Sequence, residues 1–129
     1  MRRVVVDSSA FAAVVFGEDG GAEASRAMQG ALLYAPTLLR YELQRVAWKK
    51  IRRTPAHARL VLEALERALD RRAGVHWMDP HPMDVVLLAN AAGLSPYDAS
   101  YLWLAGFLGA DLITLDRQLA AAHDAMAIA

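Results

Sequence analysis

Residues Arg3-Val4-Val5-Val6-Asp7-Ser8-Ser9-Ala10 decide how the chain is read. Three successive β-branched valines suit a strand covered on both faces, as strands in parallel sheets are. Asp7 stops that run, and the Ala-rich apolar stretch from Ser8 to Phe16 then has helical character. A strand passing at once into a helix is the opening of a βα unit.

The same alternation recurs outward from this start. Gly17-Glu18-Asp19-Gly20-Gly21 is a loop, Ala22 to Gln29 a short helix, and Ala31 to Tyr34 a second strand ended by Ala35-Pro36. Thr37 to Arg53 reads as a long helix. Arg52-Arg53-Thr54-Pro55 turns the chain into another, reaching about Arg72, with its apolar spacing at Leu60, Leu62, Leu65 and Leu69. Val75 to Met78 is the third strand and Met83 to Ala92 a helix capped by Gly93. Ser95-Pro96 opens a helix to Leu108, and Asp111 to Leu115 is the fourth strand. Arg117 to His123 is a short helix, and Met126 to Ile128 completes the pattern as a last strand. The expectation is one α/β domain over residues 1–129, with a central, mostly parallel sheet of four to five strands between helices.

Composition narrows the function classes. The 129 residues are 56% hydrophobic, enough for one substantial core and too apolar for disorder. There is no cysteine, which excludes disulfide scaffolds, thiol nucleophiles and Cys-based zinc sites and fits a cytoplasmic location. Uncharged runs such as Val85 to Tyr97 fall well short of the roughly 18 residues of a membrane span. Fourteen basic and fourteen acidic residues give zero net charge, so any nucleic-acid surface must be local.

Open α/β sheets hold ligands at the carboxyl ends of their strands. Asp7 follows the first strand and Asp116 the fourth. Asp98 lies in the first turn after Ser95-Pro96, and Glu42 in the second turn of the helix after the second strand. Each Asp alone also suits a helix cap or first-turn acid. Glu42 is harder to read that way, because Leu38, Leu39 and Val46 share its helical face. If the four converge, two carboxylates about 4 Å apart repel by roughly 4 kcal/mol at an effective dielectric near 20. Only Arg117 adjoins the strand-end acids. The natural counter-charge is then a divalent cation, and an all-oxygen, carboxylate-rich donor set suits Mg²⁺ or Mn²⁺.

Four segments carry a resemblance. Val4-Val5-Val6-Asp7-Ser8-Ser9-Ala10, Tyr41-Glu42-Leu43, Ser95-Pro96-Tyr97-Asp98-Ala99-Ser100-Tyr101 and Leu112-Ile113-Thr114-Leu115-Asp116 resemble, in order, the four acidic motifs of PIN-domain ribonucleases. Size and element order are similar to the VapC toxins of toxin–antitoxin pairs. The resemblance implies a three-layer α/β/α fold and a Mg²⁺- or Mn²⁺-dependent endoribonuclease. It implies Asp7, Glu42, Asp98 and Asp116 as catalytic and metal-holding acids, and products ending in 5′-phosphate and 3′-hydroxyl. Ser9 and Thr114 would support the acids through hydrogen bonds. Some relatives carry a further acid just after the fourth motif, where this chain has Gln118 and Leu119. The resemblance also implies a VapB-like antitoxin that covers the site, and a homodimer, with the Leu-rich helical pair and the Trp103 helix as apolar surfaces for them.

Other residues are weighed against this frame. Between Arg40 and Arg72, ten basic residues face only four acids, an excess of six positive charges in a neutral chain. Arg45, Lys49, Arg52 and Arg53 fall near the Glu42 face and are candidates for contact with an RNA backbone; a solvated hairpin or a docking surface gives the same pattern. His57, His76, His81 and His123 form no metal motif, and Trp48, Trp77 and Trp103 read as core or interface packing rather than as stacking surfaces for bases. Asp79 and Asp84 read as caps, and Asp111 lies at the start of its strand, the wrong end for the site. A phosphotransferase using Asp7 as nucleophile lacks the partner residues such folds need: Ser9 stands where a second Asp belongs, and the lysines are Lys49 and Lys50. The alternative to the nuclease is a catalytically inactive PIN-like module that binds RNA or protein.

Overall fold

The computed structural model describes residues 1–128. The valine run forms β1 (Arg3–Val6), and α1 (Ser8–Phe16) follows immediately. Then come α2 (Gly21–Met28), β2 (Leu32–Ala35), α3 (Leu38–Arg53) and α4 (Ala58–Leu69). The second half holds β3 (Val75–Trp77), α5 (Pro82–Ala92), α6 (Pro96–Leu108), β4 (Asp111–Ile113) and α7 (Arg117–Ile128). Short 3₁₀ turns at Pro55–His57 and Arg71–Ala73 bracket α4.

The four strands form one parallel sheet in the order β3-β2-β1-β4. Val5 pairs with Tyr34 on one side and with Leu112 on the other. The valines of β1 are wholly buried, as a central strand under helices on both faces requires. Helix α1 packs against α2, α3 and α4, while α6 packs against α5, α7, β1 and β4. The sheet thus lies between two helical layers, giving the α/β/α arrangement. Gly21 lets α2 approach α1, since a Cβ there would lie 2.4 Å from the Ala13 carbonyl oxygen.

Three expectations are corrected. The last strand at Met126–Ile128 does not form, because α7 continues through those residues. The alanines from Ala120 onward are strong helix formers, and nothing in them ends a helix. The sheet therefore has four strands among the described residues. On α4, Leu60 and Leu62 are 68% and 53% exposed. The inward residues are Val61, Leu65, Ala68 and Leu69, which keep helical spacing more closely. Trp48 is not a core residue either, being 55% exposed on α3.

Chain order places β2 and β3 on one side of β1 and β4 on the other. The order reverses between β1 and β4, and such a reversal is where open α/β sheets take ligands, at the carboxyl ends of the strands.

Candidate active site

Asp7 leaves β1 at this switch point and is 4% exposed. Its backbone N–H donates to the Ile113 carbonyl at 3.1 Å, so the first acid is fastened to the end of β4. Its Oδ1 accepts from the Ala10 N–H at 3.0 Å, capping α1, and from the Ser9 hydroxyl at 2.7 Å. Its Oδ2 accepts from the Thr114 hydroxyl at 2.5 Å. Ser9 and Thr114 each direct their one hydrogen to Asp7. Each also accepts a backbone N–H from the chain leaving β4: Leu115 to Ser9 at 2.9 Å and Asp116 to Thr114 at 3.0 Å. The two hydroxyls therefore tie the first acid to the loop carrying the last.

Asp116 caps α7, its Oδ1 accepting from the Leu119 N–H at 3.0 Å. Asp98 sits in the first turn of α6, where its own N–H donates to Ser95 Oγ at 3.2 Å. Among the described residues its carboxylate has no such tie, and the charges of Asp116 and Asp7 act on it. Capping and convergence are thus compatible, and for Asp7 and Asp116 the same carboxylate does both. Glu42 enters from α3. The phenol of Tyr101, buried within α6, donates to its Oε1. Tyr101 stands in the third acidic motif, where the sequence assigns it no role. The available signal was its spacing of three from Asp98, which puts both on one side of α6.

The acids are close enough to act on one another. Burial raises the Asp7 carboxyl above its ordinary pKa; the hydrogen bonds from Thr114, Ala10 and Ser9 oppose this, and the charge of Asp116 adds to it. Burial likewise raises Glu42, opposed by the Tyr101 and Ser8 hydroxyls and reinforced by Asp7 and Asp98. Asp98 is raised by burial, then by Asp116 and Asp7. No lysine or arginine is ion-paired to any of the four among the described residues. This is a ring of acids with no internal counter-charge.

The donor set is all oxygen and suits a hard divalent cation. No group of three such side chains among the described residues is already gathered tightly enough to hold one. A looser set of carboxylates is compatible with ions such as Mg²⁺, which keep several waters and need only one or two direct carboxylates.

Residues 4–124 match the family model described as the PIN domain. The chain belongs to the PIN-domain family. A relative of this PIN domain, named Ribonuclease VapC3, comes from Pyrobaculum aerophilum. It is 36% identical over 121 residues, covering 92% of each chain. The crystal structure of PAE2754 from the same organism superposes with a TM-score of 0.77 at 24% identity, over 98% of this chain and 93% of that one, and supports the fold.

The remaining residues divide clearly. Arg45, Lys49, Arg52 and Arg53 are exposed on α3, the helix that also carries Glu42. Leu119 is fully buried and Gln118 donates to the Gly93 carbonyl at 3.4 Å, so neither position adds a carboxylate. Asp79 acts across the fold: it accepts from both the N–H and the hydroxyl of Thr37 at 2.8 Å, fixing the start of α3. Asp111 pairs with Arg2 at 3.6 Å, away from the site. His76 stacks on Tyr34, and His123 lies 3.3 Å from the Ala110 carbonyl oxygen.

Proposed function

We propose that this PIN domain is a Mg²⁺- or Mn²⁺-dependent endoribonuclease, the toxin of a VapBC-type pair, and that residues 1–129 act as one unit. The observation that carries the reading is the ring of Asp7, Glu42, Asp98 and Asp116 around the switch point. Three of its members are raised in pKa by burial and by one another, and none has an internal cation. The name Ribonuclease VapC3 on a relative that aligns over nearly the whole chain supports the activity.

Asp7, Asp98 and Asp116 would hold the metal, with Glu42 completing the set. A bound divalent cation supplies a Lewis acid for phosphoryl oxygens and makes water a stronger acid. The chain's own part is positional. Ser9 and Thr114 lock both oxygens of Asp7 in one orientation. The cap at Leu119 fixes Asp116, and the phenol of Tyr101 holds Glu42. Asp98, least tethered of the four, is the member free to adjust as substrate arrives. The basic residues of α3 would meet the phosphates that flank the cleaved bond.

The partners follow from the same reading: RNA as substrate, a VapB-like antitoxin, and a second copy of the chain, acting in the cytoplasm. A groove of about 420 Å³ between α1, α3 and α4, lined by Val15, Phe16, Lys50, Arg53, His57 and Leu60, suits an antitoxin segment with apolar and acidic side chains. Met83, Val86, Leu87 and Phe107 leave α5 and α6 an apolar outer face for self-association. No helix among the described residues is long and apolar enough to cross a membrane.

The test is cleavage of total cellular RNA by the purified protein with Mn²⁺ or Mg²⁺, with EDTA, and by Asp98→Asn. Discrete cuts that need the metal and vanish in the variant are expected, and sequencing their ends names the target. Intact RNA with folded, metal-loaded wild type would put the inactive binding module ahead.

A further inference from the structure

The outward face of α3 carries two large aromatic side chains among its cations. Tyr41, Arg45, Trp48, Lys49 and Arg52 recur at spacings of four, three, one and three, which keeps them on one helical stripe. All five are exposed, Tyr41 at 66% and Trp48 at 55%. The buried residues of α3, Leu39, Leu43 and Ala47, lie on the opposite side of the helix. Neither aromatic is needed for the core.

The cations of this stripe are also unclaimed. Among the described residues none of Arg45, Lys49 or Arg52 is paired with a carboxylate. The Arg52 guanidinium instead lies over the Trp48 ring, 5.1 Å from its centroid. That arrangement sets a cation on the ring while Trp48 stays 55% exposed. Tyr41 adjoins Glu42 in sequence, so the stripe begins beside the acidic ring. It runs about 16 Å to Arg52 at 1.5 Å per residue.

We infer that this stripe is a binding track for unpaired RNA leaving the catalytic centre, with bases stacking on Tyr41 and Trp48 and phosphates meeting Arg45, Lys49 and Arg52. The inference rests on the ribonuclease reading and adds to it the side chains of α3 that take the strand. Flat aromatic faces interleaved with cations match a single strand, whose bases are free to stack. A duplex keeps its bases stacked internally and offers only its backbone. A protein partner fits less well, because charged residues are depleted at the centre of protein interfaces.

The experiment uses the full chain in EDTA, so that binding is read without cleavage. Probes are a labelled 12-nucleotide oligouridine and a 12-base-pair RNA duplex. Tryptophan fluorescence and anisotropy are followed for wild type, Trp48→Leu and Tyr41→Leu. Wild type is expected to bind the single strand with quenching. Trp48→Leu should lose most of the quenching, although Trp77 and Trp103 remain, and bind roughly 5- to 100-fold more weakly. Tyr41→Leu should weaken binding without removing the quench, and duplex binding should change little in either variant. Arg45→Gln should reduce the salt dependence by nearly one counterion. The inference is overturned if wild type binds no oligouridine, or if Trp48→Leu binds and quenches like wild type. It is equally overturned if Trp48→Leu changes only the size of the protein in solution, which would make the stripe a protein interface. The two readings fail separately. Loss of metal-dependent cleavage with quenching intact would remove the nuclease and keep the track; cleavage of oligouridine with unchanged KM in Trp48→Leu would do the reverse.

Discussion

The phenol of Tyr101, 1% exposed inside α6, donates to Oε1 of Glu42 on α3. A core side chain of one helix thus ends on an acid of another, and the core of the domain fixes the orientation of Glu42. Burial and the facing carboxylate both push the Tyr101 hydroxyl far above its usual pKa, so it remains a donor at every working pH. Tyr101→Phe keeps the ring and removes the donor. We expect the variant to fold, with stability lowered by only about 1 kcal/mol for the one lost bond, since the Ser8 hydroxyl still reaches Glu42. Mn²⁺ affinity should fall by roughly 10-fold, as for other groups that orient metal-holding carboxylates. Calorimetric titration beside thermal melting checks this; unchanged Mn²⁺ affinity in a folded variant would remove Tyr101 from the site.

Asp7 has two duties, and different substitutions separate them. Asp7→Asn retains an oxygen that can cap α1 at the Ala10 N–H, whereas Asp7→Ala loses it. Both variants should be inactive. Only Asp7→Ala should also lose the cap, at about 1 kcal/mol. Urea denaturation of the two side by side reads the difference, and equal stabilities would mean that the cap contributes nothing.

Thr114 links the ends of β1 and β4 through a donor to Asp7 and an acceptor for the Asp116 N–H. Thr114→Ser preserves both bonds and should retain most activity. Thr114→Val removes both with little change in volume, and kcat should drop by roughly 10-fold or more while the melting temperature moves only modestly. Rescue by serine distinguishes loss of the hydroxyl from loss of packing.

The raised acids give the metal-free protein a pH dependence whose sign follows directly. Asp7, Glu42 and Asp98 hold protons to higher pH when folded than when unfolded. Their contribution to stability is complete below the ordinary carboxylate range and is lost as pH rises through the raised folded values. In EDTA, this contribution should lower the melting temperature from mildly acidic pH towards neutral. Mn²⁺ should restore it at neutral pH, with weaker binding as the acids protonate. Asp98→Asn removes one of the three and should flatten the profile. A wild-type profile identical to that of Asp98→Asn, unresponsive to Mn²⁺, would show that the acids do not repel in the fold.

Much of this architecture is legible from local pattern. The Val4–Val6 run can only be a buried strand, and the punctuation at Gly93-Leu94-Ser95-Pro96 marks two helices without ambiguity. Asp7, Asp98 and Asp116 are legible because strand ends and first turns can be read from sequence. What was not legible depends on which neighbour covers a given face. Leu60 and Leu62 look like core residues, but Val61 and Leu65 take that side, and sequence alone does not say which flank α1 meets. Trp48 reads as packing because large aromatics usually are buried; its exposure is set by the opposite face of α3 docking instead. Tyr101 escaped notice because its partner, Glu42, is 59 residues away in sequence.

The bond from Thr114 to Asp7 spans 107 residues of chain. Its consequence lies in the order of synthesis. Asp116 leaves the ribosome well after Asp7. At about 5–20 residues per second, the interval between them is roughly 5–20 s. Throughout that interval the growing chain carries Asp7 with no β4 to close beside it. A protein whose proposed activity would attack RNA thus lacks a complete set of acids, beside the RNA-rich machine making it, until β4 and Asp116 have emerged.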